Sequence, residues 1–254
     1  MSRVMEGAEP FFFEGNNIPV LVLHGFTGTT QSVRYLGQEL NRRFGFTVRG
    51  PRLAGHGTSP DDMATTGYLD WVSSCEESLH ELAANGRAVF ITGLSMGGTL
   101  ALNLAARFST IVAGIIPINS AVGILEPPLA ELLMSKSPPA RVPGIGSDIK
   151  APGVSELAYS ELPVVCAREV FILTTATAAL LPRVTCPVFA IHSREDHVVP
   201  SQNGRRILDS VGSNDVRLLW LSDSYHVATL DNDKELIVQR TGWFVEEISA
   251  KRQP

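Results

Sequence analysis

Ser95 stands at the centre of Gly93-Leu94-Ser95-Met96-Gly97, between the apolar run Ala88-Val89-Phe90-Ile91-Thr92 and the helix-forming stretch Thr99-Leu100-Ala101-Leu102-Asn103-Leu104-Ala105-Ala106. A strand that enters a G-x-S-x-G turn and leaves directly into a helix forces the serine into a strained conformation, and the flanking glycines leave it room. Its hydroxyl is then held clear of the sheet at a helix N-terminus, whose free N–H groups favour a developing anion. Such a serine attacks a carbonyl only if a base takes its proton and an anion steadies the base. In the setting of a G-x-S-x-G elbow the partners follow in the order acid, then histidine. Of the six histidines, only His197 and His226 lie far beyond Ser95, in the second half of the sheet region, with an acid before them. His197 directly follows the best acid and cannot fold back onto it. That leaves His226, in Ser224-Tyr225-His226-Val227-Ala228. The acid expected at the end of an earlier strand falls in Ser193-Arg194-Glu195-Asp196-His197, where Asp196 is preferred to Glu195. Asp223 and Asp231 are crowded by their nearness to His226 but stay open as alternatives. An oxyanion needs N–H donors. Met96 offers one, and Phe26 in Leu23-His24-Gly25-Phe26-Thr27-Gly28 offers the second.

The elements that would position these residues alternate along the chain. Phe11-Phe12-Phe13 and Phe46-Thr47-Val48 read as short strands, and Val20-Leu21-Val22-Leu23 as a strand buried on both faces. Residues 30–43 carry Val33, Leu36 and Leu40 on one helical face. Asp70 is placed as the N-cap of a helix burying Val72, Cys75, Leu79 and Leu82. A strand over Val112 to Ile118 is weakened by Pro117, which cannot donate to a ladder. Regular alternation resumes with Pro187 to Ile191, a helix over Gln202 to Val211, and a strand over Val216 to Leu221. A last helix is opened by an approximate capping box of Asn232 and Glu235. The pattern predicts one α/β domain over residues 1–254, with a mostly parallel central sheet and helices on both faces. Between about residues 121 and 185 the rhythm breaks into proline-punctuated pieces, including helices over Leu129 to Met134 and Arg168 to Leu181. This segment is expected to be a cap inserted above the carboxyl ends of the strands, where open α/β sheets bind ligands.

Composition excludes other classes. A net charge of −5 with no run of Lys or Arg leaves no electrostatic footprint for nucleic acid. The start, Met1-Ser2-Arg3-Val4-Met5-Glu6, lacks the basic and apolar regions of a signal peptide, and no transmembrane segment is expected. The three cysteines, Cys75, Cys166 and Cys186, are scattered and odd in number, as buried free thiols in a reducing cytoplasm would be. His192 and His197 fit no metal-ligand spacing, so neither a metal nor another cofactor is expected.

The chain resembles the α/β-hydrolases, and among them bacterial monoacylglycerol lipases and related carboxylesterases. The resemblance rests on His24-Gly25-Phe26-Thr27-Gly28, Gly55-His56-Gly57, the elbow extended to Gly98, and Gly144-Ile145-Gly146-Ser147-Asp148. It is carried most specifically by Glu195-Asp196-His197-Val198-Val199-Pro200 and Ser224-Tyr225-His226-Val227-Ala228-Thr229-Leu230-Asp231. It implies Ser95 as nucleophile, Asp196 as acid, His226 as base, and Phe26 and Met96 as oxyanion donors. It also implies a mobile cap, with Ile145 narrowing the pocket and Glu156 near a glycerol group. The expected activity is therefore hydrolysis of monoacylglycerols to fatty acid and glycerol, with transient contact between the cap and a lipid interface. A broad short- to medium-chain carboxylesterase with the same triad and a non-catalytic receptor on the same fold are the rival readings.

Overall fold

The structure, a computed structural model, describes residues 3–123 and 126–252. Ile124 and Leu125, inside the expected insertion, lie outside the described residues, as do Met1 and Ser2. In chain order the elements are β1 (Phe11–Phe13), β2 (Pro19–Leu23), α1 (Gln31–Phe44), β3 (Thr47–Gly50), α2 (Pro60–Met63), α3 (Tyr68–Ala83), β4 (Val89–Leu94), α4 (Met96–Arg107) and β5 (Val112–Ile118). There follow α5 (Pro127–Met134), β6 (Arg141–Pro143), β7 (Glu161–Pro163), α6 (Val164–Leu180), β8 (Val188–Ser193), α7 (Gln202–Ser210), β9 (Val216–Leu221) and α8 (Lys234–Arg252).

Seven strands form one sheet in the order β1-β3-β2-β4-β5-β8-β9. Every neighbouring pair is parallel except β1 with β3. Period-two alternation then sorts the core. Val20 and Val22 of β2 join one apolar cluster with α1 and α8, while Leu21 and Leu23 join another with α3 and α4. Both faces are covered, which is why β2, β4, β5 and β8 are buried throughout.

Pro117 does lie inside β5, a central strand, in register with Gly93. Pairing of β5 with β8 is recorded only at Ile115 with Val188 and Ile118 with Ile191, so the ladder lapses around the missing donor. Asp70 is not the N-cap expected for α3. Gly67 holds that position, and Asp70, three residues on, accepts the Gly67 N–H at 2.9 Å. The next orphan donor, Tyr68 N–H, is taken by Glu169 of α6 at 3.1 Å. Glu235 likewise makes no capping box with Asn232. Its carboxylate reaches across to Tyr35 Oη and Arg43 of α1.

Between β5 and β8 the chain builds α5, the antiparallel pair β6–β7 and α6. The pair was not foreseen, since three-residue strands joined through an irregular loop leave no readable period. Helix α6 begins at Val164, four residues before the expected Arg168. Among the described residues, Val164–Arg183 is the one stretch long and apolar enough to cross a membrane by length and composition, which qualifies the expectation of none. Here it packs on α4 and α3, burying Cys166, Leu173, Thr174 and Thr177. Arg168 caps the end of α5 by donating to the Leu133 and Ser135 carbonyls.

Candidate active site

β4 ends at Leu94 and α4 begins at Met96, so Ser95 makes the turn alone, at φ 54° and ψ −120°. The two elbow glycines permit this by close approach. A Cβ on Gly93 would stand 2.8 Å from Gly98 N, and one on Gly97 2.7 Å from His24 O. Met96, as the first residue of α4, has an N–H with no partner inside the helix. The loop after β2 folds against the same turn, where a Cβ on Gly25 would meet Ser95 Cβ at 3.3 Å. That loop is braced from beneath by His24, whose Nδ1 donates to Gly25 O at 2.9 Å while Nε2 accepts the Leu53 N–H at 3.1 Å. Burial lowers the His24 pKa to about 4 and that of His56 well below its ordinary value, so both stay neutral. From the insertion, Tyr159 N–H donates to Thr27 O at 3.1 Å.

The structure brings Ser95, Asp196 and His226 together. His226 Nε2 lies 2.9 Å from Ser95 Oγ, and its Nδ1 lies 3.0 and 2.9 Å from the two oxygens of Asp196. Nδ1–H donating to the carboxylate leaves the Nε2 lone pair aimed at the serine hydroxyl. Asp196 Oδ1 also accepts the N–H groups of Val198 and Val199 at 2.9 and 2.8 Å. Burial opposes its charge, but His226 and these donors outweigh it and hold the carboxyl below its usual range. Burial likewise opposes charge on His226, yet Asp196, Glu156 and Asp148 together hold the imidazole above the ordinary histidine value.

The other acids have different partners. Asp223 pairs with Lys150. Asp231 accepts the N–H groups of Lys150, Ala151 and Tyr225, each at 2.8 Å. Glu195 points to Lys150. His192 is buried beside Asp196, whereas His197 is exposed and bonded to Asp148, so the two do not converge. The thiols of Cys75, Cys166 and Cys186 are all pushed up by burial.

An apolar pocket opens from Ser95, enclosing about 750 Å³ with its mouth included. It is lined by Phe26, Met96, Val198 and Val199 and, from the insertion, by Leu129, Leu133, Ile145, Leu162, Val170 and Phe171. The apolar residues of the insertion thus divide. Leu129, Leu133 and Phe171 face the pocket, Leu173 enters the core, and Ile172 is exposed. Ile145 lines the pocket while remaining 40% exposed, as a residue at its rim. Glu156 lies away from this lining, beside Gly28 and Ser32, in irregular chain. Burial raises its pKa to about 7, against the pull of His226 and Ser32.

Three polar residues to which the sequence assigns no holding role, Asp231 among them as an alternative acid only, also hold the site. Asn119, at φ 47°, donates to the carbonyls of His226 at 2.7 Å and Tyr225 at 3.2 Å and to Ser193 Oγ at 3.0 Å. Asp148 and Asp231 tie the insertion to the His226 loop. A polar residue at a strand's end signals the first, and no local pattern signals the other two.

A family model described as serine aminopeptidase, S33, matches residues 17–233. The match spans the sheet from β2 to β9 and includes Ser95, Asp196 and His226. The chain belongs to that family of α/β hydrolases. This S33 hydrolase is 44% identical over 239 residues, 94% of each chain, to a protein named thermostable monoacylglycerol lipase from Bacillus sp. (strain H-257). It is 29% identical over 252 residues to a carboxylesterase of Bacillus subtilis (strain 168), covering 94% of this chain and 97% of that one. Its fold matches, with TM-score 0.93 and 48% identity, a structure described with LipS and LipT, two metagenome-derived lipolytic enzymes, over 96% of this chain and 100% of that one.

Proposed function

We propose that this hydrolase cleaves monoacylglycerols through an acyl-enzyme on Ser95. The observation that carries the reading is the apolar pocket that opens from Ser95, with the withdrawn Glu156 carboxylate outside its lining yet close enough to act on His226. The acyl chain enters the pocket, and the glycerol hydroxyls donate to Glu156. His226 takes the Ser95 proton through Nε2 as Oγ attacks the carbonyl carbon, and Asp196 stabilises the imidazolium. The N–H groups of Phe26 and Met96 receive the oxyanion. His226 then gives its proton to the departing glycerol oxygen, and the same histidine activates the water that releases the fatty acid. The segment from about residue 121 to 185 is the cap over the site, with Ile145 narrowing its mouth. Its exposed Met134, Val165 and Ile172 are the apolar side chains offered to dispersed lipid.

Both the 44% identity to a monoacylglycerol lipase and the apolar lining of the pocket beside Ser95 support this substrate. Di- and triacylglycerols carry further chains that must be placed outside this pocket, and fewer free hydroxyls for Glu156. Initial rates on fully dispersed mono-, di- and triacylglycerols of matched acyl length test the reading. Monoacylglycerol is expected to be fastest by an order of magnitude or more, and equal rates across the three would refute it.

A further inference from the structure

Asp148 belongs to the insertion, in the chain between β6 and β7, yet its bonds go to the loop that carries His226. Its Oδ2 accepts the backbone N–H of His226 at 3.0 Å and that of His197 at 3.3 Å. Its Oδ1 is 2.8 Å from His197 Nδ1, and its own carbonyl accepts the Val227 N–H at 3.0 Å. Two consecutive N–H groups, one of them belonging to the base, therefore hang on a single residue. The Asp148 side chain is only 15% exposed, and a carboxylate so far withdrawn from water persists where donors compensate it. Nothing in the acyl-transfer steps above employs it.

The geometry points to Asp148 as a positioning residue for His226. It fixes the backbone of the base so that Nε2 stays on Ser95 while Nδ1 stays on Asp196, and it adds negative charge to the field in which the imidazolium forms. The inference rests on His226 being the base, as proposed above. The two contributions are physically separable. An acceptor oxygen is enough to hold the N–H, whereas support of the imidazolium needs the charge. The titratable and charged groups facing His226 are Asp196 and His192 from β8 and its following loop, and Glu156 and Asp148 from the insertion. On the solvent side of Asp148 stands His197, whose own pKa is raised chiefly by that carboxylate. Removing the Asp148 charge destabilises the His226 imidazolium, so the neutral base survives to lower pH.

Two substitutions and a pH profile test this, with Ser95→Ala measured alongside. Asp148→Ala is expected to lower kcat by about tenfold to a hundredfold, the scale of a lost hydrogen bond to a charged group, with KM on a medium-chain monoacylglycerol little changed. Asp148→Asn keeps an oxygen for the His226 N–H and should recover most of kcat. Lacking the charge, it should also move the acid limb of kcat/KM down by about half a pH unit. A merely structural role would let Asp148→Asn recover activity with the limb unmoved. Wild-type kcat in Asp148→Ala, or an acid limb in Asp148→Asn at its wild-type position, overturns the inference. Should Asp148→Ala fail to fold, the limb position in Asp148→Asn decides. An active Ser95→Ala removes the mechanism on which this rests. An inactive Ser95→Ala beside unaffected Asp148 variants removes this inference alone.

Discussion

Gly28→Ala offers a way to move Glu156 without touching it. A Cβ at position 28 would stand 3.2 Å from Glu156 Cδ and closer still to Oε1, nearer than real Cβ atoms approach an oxygen. Gly28 does not have a left-handed backbone, so alanine strains nothing locally. The carboxylate, at the end of a flexible side chain, is what must give way. It has to retreat by about an ångström, which carries a bond of about 2.9 Å beyond ~3.6 Å, where it is no longer a hydrogen bond. Loss of one such bond to a charged acceptor costs about 1.5–3 kcal/mol, roughly ten- to a hundredfold in rate. The loss should fall only on substrates with a glycerol head. Initial kcat/KM values for a monoacylglycerol and for the ethyl ester of the same acid give the ratio to follow. That ratio should drop by the stated factor in Gly28→Ala and in Glu156→Ala, while the ethyl-ester rate stays within about threefold of wild type. An unchanged ratio in both variants would refute the assignment of Glu156 to the head group. A parallel fall on both esters would instead show that the loop after β2, which carries Phe26, had shifted.

Ser95→Ala should lower kcat by roughly 10⁴–10⁶-fold with an unchanged melting temperature, and Asp196→Asn by about 10⁴-fold, because the amide holds His226 in the wrong tautomer. Full activity in Asp196→Asn would return the acid's role to Glu195 or Asp223. Because the base must be neutral and its pKa is raised, kcat/KM should climb with pH through a midpoint above 6.5, and a midpoint below that value contradicts the surrounding charges. Glu156 carries a folded-state pKa raised from 4.5 to about 7. Its contribution to stability is therefore complete below pH 4.5 and is lost as pH rises through about 7. Glu156→Gln abolishes that loss, so urea unfolding at pH 8 should show the variant more stable than wild type by about 2 kcal/mol, with the gap vanishing near pH 4.

Much of this molecule is local in its causes and was therefore legible in the sequence. The turn at Ser95 follows from glycines two residues away on either side, and the strands around it follow from short apolar runs bounded by turn residues. The chain order of Ser95, Asp196 and His226 reflects the order in which the strands enter the sheet. Local patterns misled where a distant group supplied the partner. Asp70 looked like a helix cap until Gly67 took the position and Glu169 of α6 supplied the next acceptor. Glu235 found Tyr35 and Arg43 rather than its own helix end. Pro117 remained in a central strand because the ladder to β8 lapses beside it.

The sequence by itself determined which atoms could do chemistry and in what order the chain delivers them, because bonding types and hydrophobic period are properties of neighbouring residues. Tertiary structure alone decided how those atoms are held and charged. The bond from Asp148 to His226 spans 78 residues and that from Asp231 to Lys150 spans 81, so no window of the sequence contains both ends. The same holds for Glu156, an ordinary carboxyl in its own segment. Its raised pKa exists only because folding withdraws it from water, against the opposing pull of His226 and the hydrogen bond with Ser32. Desolvation and long-range hydrogen bonds depend on three-dimensional enclosure, which sequence neighbours do not encode.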